Sequence, residues 1–145
     1  MKPFCRTSIK LDEPIPGCKF FYWYEFLYLP SWDAHVFPEH DLIRANIIKT
    51  ATVLDKIRAH FNRPIKVTSG YRPKMYNDFI SGATFSSHIS GRAVDFQVKN
   101  RQASDVRAEL VKMLDDLDIR LENHSGDWNH IDLDVNKSQS RFFKP

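Results

Sequence analysis

Two segments of this chain alternate apolar and polar residues so strictly that they read as β-strands and little else. In Ala93-Val94-Asp95-Phe96-Gln97-Val98, the residues Val94, Phe96 and Val98 fall on one face and Asp95 on the other. In Trp128-Asn129-His130-Ile131-Asp132-Leu133-Asp134-Val135, the residues Ile131, Leu133 and Val135 share a face and His130 lies opposite. Each strand turns an apolar row toward a core and a metal-binding side chain away from it. Such a sheet needs cover on its apolar face only, and the chain supplies it. From Asp41 to Phe61, the residues Ile43, Ile47, Ala51, Leu54 and Phe61 recur at helical spacing, and Pro64 stops the run. Ser104–Leu117 is a second amphipathic segment, with Val106, Leu110, Met113 and Leu114 inward. Ile65–Thr68 reads as a strand entering a Ser69-Gly70 turn, and Ile119–Leu121 as a further short strand. This order predicts an α+β fold: a small, mainly antiparallel sheet with helices packed on one side.

The 145 residues fit a single domain spanning 1–145, with 1–18 and its three prolines as an extended lead-in. A hydrophobic fraction of 42% is enough for a packed core and excludes wholesale disorder. The net charge of +3 is dispersed, unlike the clustered footprint of a nucleic-acid binder. No run approaches the roughly 18 apolar residues of a membrane span, so no membrane insertion is expected. The start, Met1–Gly17, lacks an apolar region and a small-residue cleavage site, which predicts no secretory signal and synthesis in the cytoplasm. A monomer is expected. Cys5 and Cys18 fit no CxxC pattern; they are two free cytosolic thiols or a staple across the intervening loop, and poor metal ligands. The aromatic run Phe20–Tyr28, broken by Pro30, reads as cover for the core, with an exposed sticky face as the alternative.

The chemistry concentrates in Ser86–Asp95. His88 and Asp95 stand seven residues apart, with Gly91 between them permitting a tight loop, so a loop histidine can approach a strand carboxylate. His130, on the neighbouring strand, supplies a third donor; His124, in a Ser-Gly-Asp loop, is its rival. Two imidazoles and a carboxylate, with a fourth position left to water, form a usual catalytic zinc set. Water held there becomes acidic, toward a pKa of about 7, and can attack an amide carbonyl.

Three ordered blocks then carry a resemblance. Ser69-Gly70-Tyr71-Arg72, Ser86-x-His88-x-x-Gly91-x-Ala93-x-Asp95 and Asp127-Trp128-x-His130-Ile131-Asp132 resemble the signature blocks of the zinc D-alanyl-D-alanine carboxypeptidase family. That family shares its fold with lysostaphin-type peptidases and the hedgehog signalling domain. Weaker likeness runs from about Tyr24 to Val135; the first 20 residues and the tail after Asn136 are not covered. The resemblance implies Zn2+ held by His88, Asp95 and His130, with Asp127 as general base. It implies that Arg72 pairs with a carbonyl oxygen as charge builds there, or with a substrate carboxylate, and that Ser86 lies near the bound peptide. Trp128 walls the cleft or packs in the core, and Asp132 orients a ligand histidine or is a solvated strand carboxylate. Some family members carry a histidine two residues before the catalytic acid; that position here is Ser125, with His124 one residue away.

The function this implies is zinc-dependent hydrolysis of a peptide bond in peptidoglycan stem peptides, the substrate partner of the chain. D,D-carboxypeptidase, D,D-endopeptidase and L-alanyl-D-glutamate endopeptidase activities all remain open, and a phage lysis or entry enzyme (an endolysin, for example) fits the small size. The competing readings are a non-catalytic zinc-stabilised binding module and a virion or cell-wall attachment protein.

Overall fold

The computed structural model describes residues 9–145. Helix α1 (Trp23–Leu27) leads into a small hairpin, β1 (Tyr28–Leu29) and β2 (Ala34–His35), joined through a 3-10 turn at Pro30–Trp32. Helix α2 (Asp41–Phe61) precedes β3 (Ile65–Ser69), a short helix α3 (Lys74–Phe79) and β4 (Ala93–Val98). Helices α4 (Ala103–Leu110) and α5 (Leu114–Leu117), separated by a 3-10 turn, precede β5 (Arg120–Glu122), β6 (Asn129–Asp132) and β7 (Phe142–Phe143). The main sheet has the order β3-β4-β6-β5-β7, antiparallel throughout except for the β5–β7 pair. The fold is α+β, as the alternation predicts.

The aromatic run divides between the two readings of it. Phe21, Trp23, Phe26 and Leu27 are buried in the core, while Tyr22 and Tyr24 stack on each other at the surface. The described part of the proline-rich start also turns back on this run: Pro14 bridges Tyr22, and Ile15 is fully buried. Cys5, and therefore any pairing of the two cysteines, lies outside the described residues. Cys18 is half-buried, and burial followed by the nearby Asp55 carboxylate pushes its thiol up to about 11.

Helix α2 begins and ends where its charges and caps favour it. Asp41 occupies the positive first turn, and Arg58 and His60 the negative last turn. Asn62 closes it in the left-handed region at φ 50°, donating its N–H to the Arg58 carbonyl. Ile47, Ala51, Leu54 and Ile57 meet Val94, Phe96 and Ile131 of the sheet, with Val106 and Leu110 of α4, in one apolar cluster. Two buried polar residues of α2 hold the loop that precedes β4. Asn46 Nδ2 donates to the Ser90 carbonyl at 3.0 Å, and Thr50 Oγ1 to the Gly91 carbonyl at 2.8 Å. Gly91, at φ 77°, lies so close to α2 that a Cβ would stand 2.8 Å from Ile47 Cγ1.

Two elements are shorter than their patterns predict. The strand at Trp128–Val135 ends at Asp132, because Leu133 and Asp134 turn aside to bind Arg92. The helix at Ser104–Leu117 tightens into a 3-10 turn at Val111–Met113.

Candidate metal centre

Strand register builds the site. Asp95 pairs with His130 across β4 and β6, so both side chains project from the face opposite the core. On the other side of β4 the register shifts between Val67 and Ser69, a bulge that sets Ser69 opposite Asp95. The chain then turns at Gly70, which is pressed against α1: a Cβ there would stand 2.5 Å from the Phe26 carbonyl oxygen. Only glycine fits that approach, which gives the Ser69–Arg72 block its physical reason. The turn is stitched to the 86–91 loop by Arg72 N–H donating to the His88 carbonyl at 3.0 Å.

His88, Asp95 and His130 meet on this face, each offering a ligand atom, and these atoms lie within 4.8 Å of one another. The buried His88 ring donates Nδ1–H to the Gly70 carbonyl at 2.8 Å, an assignment fixed because that oxygen can only accept. Burial lowers the pKa of His88, favouring the neutral ring. An unprotonated Nε2 therefore points at Asp95 Oδ1 from 3.2 Å, a lone pair against a carboxylate that a cation between them would reconcile. Asp95 Oδ1 is also 2.8 Å from His130 Nδ1. Burial would raise Asp95, but the two histidines outweigh it and hold the carboxyl far below the usual range.

His130 has its own orienting partner. Its Nε2 lies 3.0 Å from Asp132 Oδ2, and Asp132 is gripped at both oxygens by Arg120, each at 2.8 Å. Burial opposes charge on His130, yet its hydrogen bonds to Asp132 and Asp95 prevail and push it up to about 9. Burial likewise opposes charge on Asp132, but His130 and Arg120 bring it down to about 2. With Nε2–H committed to Asp132, Nδ1 is the nitrogen left for a metal. A divalent ion with bonds of about 2.0–2.2 Å would displace the Nδ1 proton of His130, and the donor set then fits it with two neutral imidazoles and one carboxylate.

Asp132→Asn is expected to weaken metal affinity by about 10- to 100-fold, because His130 loses its anionic orienting partner. It should also lower the melting temperature, since Arg120 is left buried without its charge partner. Competition against a chromophoric chelator measures the first effect; an affinity within twofold of the parent would remove the orienting role.

The three residues open onto a cavity of about 360 Å³ whose lining includes Arg72, Ser86, Glu122, Trp128 and Phe143. Arg72 is no surface residue. Its Nε donates to Ser69 Oγ at 2.8 Å, Nη1 to Asn77 Oδ1 at 3.2 Å and Nη2 to Asp95 Oδ2 at 3.1 Å. Ser86 Oγ accepts the His88 N–H at 3.2 Å. Trp128 stands at the cavity wall, 38% exposed rather than packed in the core. Asp127 is placed elsewhere: it is exposed and lines a neighbouring cavity of about 850 Å³ together with His124 and Ser125. His124 Nδ1 accepts the Gly126 N–H at 2.9 Å, and its ring lies against Trp128. Among the described residues, His124 is not part of the three-residue metal group.

Glu122, Arg120 and Phe143 are site residues that the motifs do not reveal. With Leu121 inward, strand alternation alone places Arg120 and Glu122 on the site face. Phe143 comes from the tail beyond the motif blocks; its ring packs 6.0 Å from His130 and 3.8 Å from the Arg120 guanidinium carbon.

A family model described as Peptidase M15 matches residues 32–132, which takes in all three motif blocks. No curated protein matches the chain.

Proposed function

The chain belongs to the M15 peptidases, a family of zinc metallopeptidases, and from that premise we propose that it hydrolyses a peptide bond in the stem peptides of bacterial peptidoglycan. Its zinc is held by His88, Asp95 and His130. The observation that carries this reading is the pair of histidines that each turn one nitrogen to Asp95 Oδ1, their other nitrogens being committed to Gly70 and Asp132. Zinc bound there supplies Lewis acidity toward a carbonyl oxygen and lowers the pKa of water.

The protein's own groups do the rest. Arg72, with a rigid guanidinium at the cavity wall, pairs with the scissile carbonyl or a substrate carboxylate. Trp128 and Ser86 flank the peptide, the first by apolar contact and the second by hydrogen bonding. The resemblance gives proton transfer to Asp127, whereas the carboxylates lining the cavity beside the ligands are those of Asp132 and Glu122.

The test is mass spectrometry of material released from purified peptidoglycan. New termini from a cut stem peptide are expected with the zinc-loaded protein and not after chelation. Release of a single terminal D-alanine identifies a carboxypeptidase; release of cross-linked or L-alanine-terminated fragments identifies an endopeptidase. A zinc-loaded protein that binds the wall and releases nothing would make it a binding module.

A further inference from the structure

We infer that Glu122, and not Asp127, is the carboxylate that moves the proton during hydrolysis; this rests on the peptidase reading above. Three side-chain carboxylates line the cavity at the metal group: Asp95, Asp132 and Glu122. Asp95 is committed to His88, His130 and Arg72, and Asp132 to Arg120 and His130. Among the described residues, no hydrogen bond or ion pair engages the Glu122 side chain. Of these three side chains it is the one left free to accept a proton.

The register explains why it is there. β5 and β6 pair Arg120 with Asp132 and Leu121 with Ile131. Continuing that register sets Glu122 beside His130, on the same face as the Arg120–Asp132 ion pair. Glu122 is half-buried on a strand held on both sides, by β6 and by β7. A strand position fixes a proton acceptor better than a loop position does.

Asp127 has none of these properties. It is exposed, and its carbonyl is tied to Gln97 Nε2 at 3.0 Å. Its cavity is the neighbouring one, lined also by Lys66, Lys99 and Arg107. Trp128, the next residue, lines the cavity of the metal group instead. Asp127 and Trp128, adjacent in the chain, thus line different cavities.

In the step so assigned, the oxygen of water bonds to the carbonyl carbon while its proton passes to the Glu122 carboxylate. When the C–N bond breaks, its electron pair stays on nitrogen, which takes that proton from Glu122. One water is consumed, and one carboxyl and one amine are formed.

The experiment compares Glu122→Gln, Glu122→Asp and Asp127→Asn with the parent, each measured for zinc content, co-sedimentation with purified peptidoglycan and turnover. Glu122→Gln should keep its zinc and bind the wall within about threefold of the parent, while turnover falls by about 100- to 10,000-fold. Glu122→Asp, with the charge kept and the reach shortened, should fall by at least about tenfold; it decides the matter if Glu122→Gln loses zinc or fails to fold. Asp127→Asn should keep its zinc and its wall binding and lose far less turnover than Glu122→Gln does. An active Glu122→Gln protein, or an Asp127→Asn protein that loses as much turnover as Glu122→Gln does, overturns the assignment and leaves the peptidase reading standing. A parent protein that cuts nothing overturns that reading and this inference with it.

Discussion

His88→Ala and His130→Ala proteins are each expected to be isolated with almost no zinc and no measurable hydrolysis, while His124→Ala keeps both. The parent should carry about one ion per chain, since three protein donors and an open fourth position are what a catalytic zinc requires. Removing either imidazole leaves two donors, one of them the Asp95 carboxylate. The fold should survive both changes, because the apolar cluster of Val94, Phe96 and Ile131 lies on the other face of the sheet. Circular dichroism close to that of the parent, together with metal analysis, separates loss of the site from loss of the fold. His124→Ala loses at most its contact with Trp128 and its acceptance of the Gly126 N–H. If His124→Ala loses zinc and His130→Ala keeps it, the ligand set is wrong.

Arg72→Lys is expected to cost about 100- to 1000-fold in turnover even though the charge is kept. The guanidinium reaches Ser69, Asn77 and Asp95 through three different nitrogens. A single ammonium cannot span the three acceptors in that planar arrangement, nor present a flat face to a carbonyl. Its bond to Asp95 Oδ2 leaves Oδ1 for the metal, so part of the loss could come through the ligand rather than the substrate. Metal analysis of the variant divides the two: zinc retained with turnover lost assigns Arg72 to the peptide, and zinc lost assigns it to Asp95. An Arg72→Lys protein within about threefold of the parent would remove Arg72 from the chemistry.

What the sequence could say about this molecule follows from where its signals are periodic. The limits of α2 were legible because apolar spacing and Pro64 agree on them, and β4 because Val94 to Val98 alternate without a break. The convergence of His88, Asp95 and His130 was legible for a related reason: once Val94 and Ile131 face inward, their neighbours must face out. Glu122 follows the same rule but sits on a three-residue strand, too short for alternation to stand out. The turning aside of Leu133 and Asp134 was not legible, since it depends on Arg92, some 40 residues earlier in the chain, reaching both. Nor was the placement of Asp127, because a loop side chain has no period to fix its direction. β7 lay hidden as well, its two residues showing their partner only once β5 is in place.

The pairing of Val94 with Ile131 and of Asp95 with His130 has a consequence for misfolding. In a sheet, a slip of one residue sends every side chain of a strand to the opposite face. Were β6 to slip in that way, His130 and Asp132 would enter the apolar cluster as unpaired polar groups, and Ile131 would be left in the water above the cavity. Burying even one polar group without a partner costs about 1–3 kcal/mol, before the loss of Ile131 from the core is counted. The slipped sheet would therefore be unstable as well as inactive. A folded chain with a scrambled site is excluded by the same two-residue period that packs the core, so the arrangement of the ligands is proofread each time the protein folds.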